Sequence, residues 1–166
     1  MGDFEVVRST TIAADPARVH ALIDDFHQWR RWSPWEDVDP DLRREYSGPE
    51  SGPGARYAWE GNRKAGKGEM EILASQPERV DVRLTFEKPW KATNNVAFEL
   101  SSAGETTGVT WRMTGRTTGV AGLFSRFVSM DKLVGGDFER GLARMKAAAE
   151  GAEGEGFEPS TPVNPV

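Results

Sequence analysis

The chain has 166 residues, 37% apolar and 28% charged, which suits one soluble globular domain with a full core. Its formal charge is −5, but four acids (Glu150, Glu153, Glu155, Glu158) fall in the last 17 residues, which hold no Lys or Arg, so residues 1–149 set 21 basic against 22 acidic side chains. That near-neutral body excludes a nucleic-acid or anionic-membrane footprint, and the lack of cysteine excludes disulfides, thiolate metal sites and thiol nucleophiles.

The N-terminus, MGDFEVVRSTTIAADP, has no basic stretch followed by an apolar one. No run approaches the roughly 20 apolar residues of a membrane span, so a cytoplasmic location is expected. Residues 3–12 are β-rich and alternate in part. Asp15-Pro16 then supplies an N-cap and a proline at the first helical position. The helix that follows sets Val19, Leu22, Ile23 and Phe26 on one face. A second short helical piece spans His27 to Arg31 and ends before Ser33-Pro34, because the residue before proline avoids the helical region.

Turn signals then delimit strands at 55–61, 69–75, 79–87, 92–100 and 109–115, an antiparallel meander. Their alternation gives a dry face holding Tyr57, Trp59, Met70, Ile72, Val82, Phe86, Phe98 and Trp111. The wet face carries Arg56, Glu60, Glu69, Glu71, Asp81, Arg83, Glu99 and Arg112. From Asp131 to Ala149 the pattern is helical again, with Val134, Phe138, Leu142, Met145 and Ala149 as its apolar stripe. Gly135-Gly136 lowers helix propensity by about 1 kcal/mol per residue relative to Ala, which predicts a gap or kink. Residues 150–166 are Gly, Pro and acid without period, and read as a disordered tail behind a 1–149 domain. The order is strand, helices, a run of strands and a long helix.

Two near-motifs fail. GNRKAGKG (61–68) lacks the Ser or Thr of a P-loop and precedes a strand, so it reads as a hairpin turn. DVDPD (37–41) puts Leu42 where a calcium loop needs Gly and Gly48 where it needs Glu. His20, Asp24 and His27 share one helical face if the helix reaches 27, and a polar face explains them better than a metal site. No metal or other cofactor is called for.

The phrases WRRWSPWEDVDP (29–40), YAWEGN (57–62), GKGEMEI (66–72), FEKPWKA (86–92), VTWRMTG (109–115) and DKLVGGDFERGLARMK (131–146), in this order, resemble the polyketide cyclase/dehydrase branch of the START-like (Bet v 1-like, SRPBCC) superfamily. The resemblance implies an α+β helix-grip fold: a seven-stranded curved antiparallel sheet wrapped around a long C-terminal helix, with two short helices after strand 1 and a cavity between sheet and helix. It further implies apolar ligands such as lipids, sterols or polyketides, with catalysis in some members.

Within that fold Trp32 and Trp35 are expected at the cavity mouth, and Tyr57, Trp59, Phe86, Trp90 and Trp111 on the sheet wall. Phe138 and Leu142 form the expected helix wall, the interrupting Gly135, Gly136 and Gly141 leaving room for a void. The alternative for every one of these rings is plain core. Cyclisation needs a base and a donor to an enolate oxygen; Arg8 and Tyr57 are the first candidates, with Glu36 and Asp37 at the rim, and no convincing pair emerges. The leading expectation is therefore binding of a small hydrophobic or aromatic ligand by a monomer or homodimer. A cyclase or dehydratase in the same cavity is the alternative, and a protein-interaction module using Val120, Leu123, Phe124, Phe127 and Val128 is the third.

Overall fold

A computed structural model describes residues 3–36, 38–88, 91–116 and 130–154. Asp37, Trp90, the 117–129 segment with its proposed interaction face, and the tail from 155 onward lie outside the described residues.

The elements are β1 (Asp3–Ile12), α1 (Pro16–Ile23), a 3-10 turn (Gln28–Arg31), β2 (Arg43–Ser47), β3 (Arg56–Glu60), β4 (Lys67–Gln76), β5 (Arg79–Lys88), β6 (Ala92–Ala103), β7 (Thr106–Arg116) and α2 (Met130–Gly154). The seven strands form one antiparallel sheet in the order β1-β7-β6-β5-β4-β3-β2. The α+β helix-grip arrangement is present. The strand without turn signals is β2, a five-residue edge strand whose residues alternate between exposed and half-buried.

Local chemistry sets the first turn of α1. Asp15 accepts from the Arg18 N–H at 3.0 Å and Pro16 follows it, while Val19, Leu22 and Ile23 are buried. The carbonyls at the far end of α1 lack helical partners. Two indoles supply them: Trp29 Nε1 donates to Ile23 O and Trp32 Nε1 to Leu22 O, each at 2.7 Å. Both tryptophans are thus anchored in the core, Trp32 with no exposure at all.

α2 packs across β1 and buries Phe138, Leu142, Met145 and Ala149. Contrary to the gap expected at Gly135-Gly136, the helix runs through both. The space beside Gly135 is taken by the Arg8 guanidinium, whose Nε donates to Glu139 at 2.8 Å, so a Cβ there would collide with it. At Gly141 a Cβ would lie 2.8 Å from the Trp111 ring and 3.0 Å from Pro34. These glycines let side chains close onto the helix; they do not open a void. The helix also continues past Ala149 to Gly154, with Glu150 accepting from Lys146 at 2.7 Å and from the Ala13 N–H at 2.8 Å. Those contacts tie in a turn that composition alone assigned to the tail.

The core is a chain of rings. Trp111 stacks on Phe138 at 4.0 Å with planes 5° apart, and meets Trp32 edge-on at 5.4 Å and Phe98 at 5.1 Å. Outside, Arg83 and Arg56 converge on Glu71 at 2.6 and 3.3 Å, and Arg79 and Arg112 on Glu99 at 3.0 and 3.4 Å. Such exposed pairs contribute little to stability, but they keep the outer face wet.

Candidate functional site

Over part of β3, β4 and β5 the sheet and its cover do not meet. Between β3, β4 and β5 on one side and the chain after the 3-10 turn on the other lies a cavity of about 150 Å³. Its sheet wall is Tyr57, Trp59, Met70, Leu84 and Phe86. Opposite stand Trp29, Ser33, Trp35, Glu36 and Leu42, and the β3–β4 hairpin adds Lys64 and Ala65.

Four residues expected at the site, Trp35, Tyr57, Trp59 and Phe86, are brought together there. Trp59 meets Phe86 edge-on at 5.7 Å and stacks on Tyr57 at 6.2 Å. Trp35, 36% exposed, spans the mouth; its Nε1 donates to Asp137 on α2 at 3.3 Å and its ring meets Phe138 at 6.2 Å. Trp32, Trp111, Phe138 and Leu142 do not border the cavity. Trp32, Trp111 and Phe138 interlock in a chain with Phe98, and Leu142 is buried in the same core, because α2 comes close enough at Gly141 to close the space.

The mouth is stapled by a buried carboxylate that sequence reading passed over. Asp39 accepts from the Asp41 N–H through Oδ1 and the Asn62 N–H through Oδ2, both at 2.8 Å. Asn62 in turn accepts from the N–H groups of Lys64 and Ala65 at 3.0 Å, and Trp59 Nε1 donates to Ala65 O at 2.8 Å. The failed calcium and P-loop look-alikes are thus two loops joined through Asp39. The pairing of an acid with a Gly-Asn turn across 23 residues of chain has no sequence period to reveal it.

One corner of the cavity is polar. Glu36, taken from sequence as a rim residue, has only 11% of its side chain exposed and sits against Arg44, with Nη2 at 2.8 Å and Nε at 2.9 Å from Oε1. The Tyr57 hydroxyl makes a long contact of 3.5 Å to Glu36 Oε2. Burial first, and the Glu36 charge second, push the Tyr57 hydroxyl far above the usual tyrosine range, so it stays a donor. Tyr46, beside it at 5.2 Å, is raised for the same two reasons, and its buried hydroxyl has no hydrogen-bond partner among the described residues. Arg44 is desolvated, but Glu36 outweighs that and raises its pKa.

Arg8, the other catalytic candidate, lies on β1 against Glu139 of α2, at the opposite edge of the sheet from this corner. His20 and Asp24 meet Ser75, at 3.0 Å from His20 Nε2 and 3.4 Å from Asp24 Oδ2. His27 falls beyond α1 and stacks on Tyr46 at 4.1 Å, so the three residues do not converge.

No curated protein matches the chain. Among solved structures it is similar to the major latex-like protein 151 of Panax ginseng (14% identity, 89% of this chain and 97% of that one, TM-score 0.63). It is also similar to TTHA0849 from Thermus thermophilus (19% identity, 90% and 99%, TM-score 0.60) and to KanY (18% identity, 90% and 99%, TM-score 0.60). At these identities the likeness is one of fold. A family model described as polyketide cyclase / dehydrase and lipid transport matches residues 3–150, nearly the whole described chain, and the protein belongs to that family.

Proposed function

We propose that this protein binds a small apolar or aromatic molecule in the cavity between β3–β5 and the Trp29–Leu42 segment. The observation that carries the reading is a hollow of about 150 Å³ walled by Trp35, Tyr57, Trp59 and Phe86, with few polar side chains in its lining. An apolar cavity of about that size stays dry and accepts benzene. It falls below the ~300 Å³ of ordinary ligand sites, so the guest is one ring, or one ring of a longer molecule that passes between Trp35 and the 61–66 hairpin.

The test is a titration with benzyl alcohol followed by tryptophan emission, since Trp29, Trp35 and Trp59 all border the cavity. Saturable quenching that disappears in Leu84→Trp, which fills the hollow, supports the reading. No saturable change in the folded wild-type protein ends it.

A second reading, catalysis in the same cavity, is favoured by the side-by-side placement of Glu36 Oε2 and the Tyr57 hydroxyl. On the Glu36 carboxylate, Arg44 bonds Oε1. Oε2 is then placed to take a proton next to a carbonyl, while Tyr57 donates to the enolate oxygen. Glu36→Gln that leaves turnover of a β-diketone intact, while binding persists, removes this reading.

A further inference from the structure

Four lining residues bring polar groups to the cavity: Ser33, Glu36, Tyr57 and Lys64. Three are committed. Glu36 is neutralised by Arg44 at 2.8 Å, with the more exposed Arg30 at 3.9 Å. Tyr57 points its hydroxyl at Glu36, and Ser33 Oγ accepts the Trp35 N–H at 3.4 Å. Lys64 alone brings a charge with no acidic partner among the described residues.

Its position is fixed. The Lys64 N–H is bound to Asn62 Oδ1, the Asn62 N–H to Asp39 Oδ2, and the carbonyl of the next residue, Ala65, to Trp59 Nε1. The backbone that carries the ammonium is therefore held at the mouth from three sides, although the side chain itself is exposed. Asp39, the other acid nearby in this network, already accepts two backbone N–H groups and is buried. Lys64 is thus the lining cation for which no ion pair is found among the described residues.

From this we infer that the guest carries an anionic end: the site takes a single-ring aromatic carboxylate, its ring among Trp35, Trp59 and Phe86 and its carboxylate at Lys64. This rests on the binding reading proposed above and names its ligand class. A cationic ring of the same size meets Lys64 and finds Glu36 already paired. A neutral ring gains the apolar contacts alone. The order of affinity is anion, then neutral, then cation.

Three probes of equal ring size separate these outcomes: phenylacetate, benzyl alcohol and benzylamine, each titrated at pH 7 and low salt against the full chain by tryptophan emission. Phenylacetate is expected to bind about fivefold more tightly than benzyl alcohol, the upper end for one exposed charge pair, and benzylamine more weakly than either. The phenylacetate advantage shrinks in 0.5 M salt as the pair is screened. Lys64→Gln brings the phenylacetate-to-benzyl alcohol ratio to about one, whereas Lys91→Gln, an exposed lysine outside the lining, leaves it in place. Equal affinity for phenylacetate and benzyl alcohol, or an advantage that survives Lys64→Gln, overturns the inference while leaving the cavity reading standing. Failure of all three probes to bind overturns both.

Discussion

The two halves of this sheet carry the same kind of side chain and end differently. On the β6–β7 side Phe98 and Trp111 are packed to 0% and 2% exposure against Trp32 and Phe138. On the β3–β5 side Tyr57, Trp59 and Phe86 border a hollow. What differs is the element opposite. The packed half faces a helix that presents Phe138, Leu142 and Met145 and gives way at Gly141. The hollow half faces loops held by polar staples at Asp39, Asn62 and Glu36, which fix positions without supplying apolar bulk. Aromatic density on a strand therefore does not by itself make a cavity; the cover decides.

Substitution of equal chemistry in the two halves is the strongest way to break the comparison. Trp111→Ala should cost about 3–5 kcal/mol in urea unfolding, since nothing can collapse into a space bounded by stacked rings. Trp59→Ala, half-buried beside an existing hollow, should cost about 1–2 kcal/mol. Equal costs would mean that the two sides are packed alike. Next in size, Gly141→Ala should destabilise by about 1–3 kcal/mol, because the new methyl meets the Trp111 ring and Pro34. A neutral result there would show that the packed half has slack.

Asp39→Ala sharpens the other side. It strands the N–H groups of Asp41 and Asn62 and should cost about 1–2 kcal/mol, with faster amide exchange at Asn62 and Lys64 than in β7. Uniform acceleration would point to global loosening instead of a released mouth.

The smallest effect is spectroscopic. The chain has two tyrosines, and burial followed by the Glu36 charge raises both. A folded pKa above the unfolded value of about 10 means that the stabilisation is present below pH 10 and lost as pH rises beyond it. Phenolate absorbance at pH 10 should thus be well under half its final value in the folded protein, and Glu36→Gln should increase it. An ordinary titration curve centred at 10 would place the two hydroxyls in water.

The sheet's inner face was legible because alternation is a local code: Met70, Ile72, Val82, Phe98 and Trp111 are all buried as their spacing predicts. β2 was not, because an edge strand with polar residues on both faces carries no such code. Of the site, the residues on strands were readable and the ones that decide its size were not. Whether Trp111 or Trp59 meets empty space depends on where α2 passes and how Asp39 ties the hairpin, and both are contacts between segments distant in sequence. The spacing puts Glu36 at the rim but does not show that Arg44, eight residues on, folds back onto it.

The central claim is that the β3–β5 half is hollow and takes a guest. A crystal soaked in bromobenzene tests it most directly, because the bromine scatters anomalously. The account predicts one ordered site, enclosed by Trp35, Trp59 and Phe86, with the Trp111–Phe138 stack undisturbed. Bromine found only on the outer surface, with those three rings closed against one another, would contradict it.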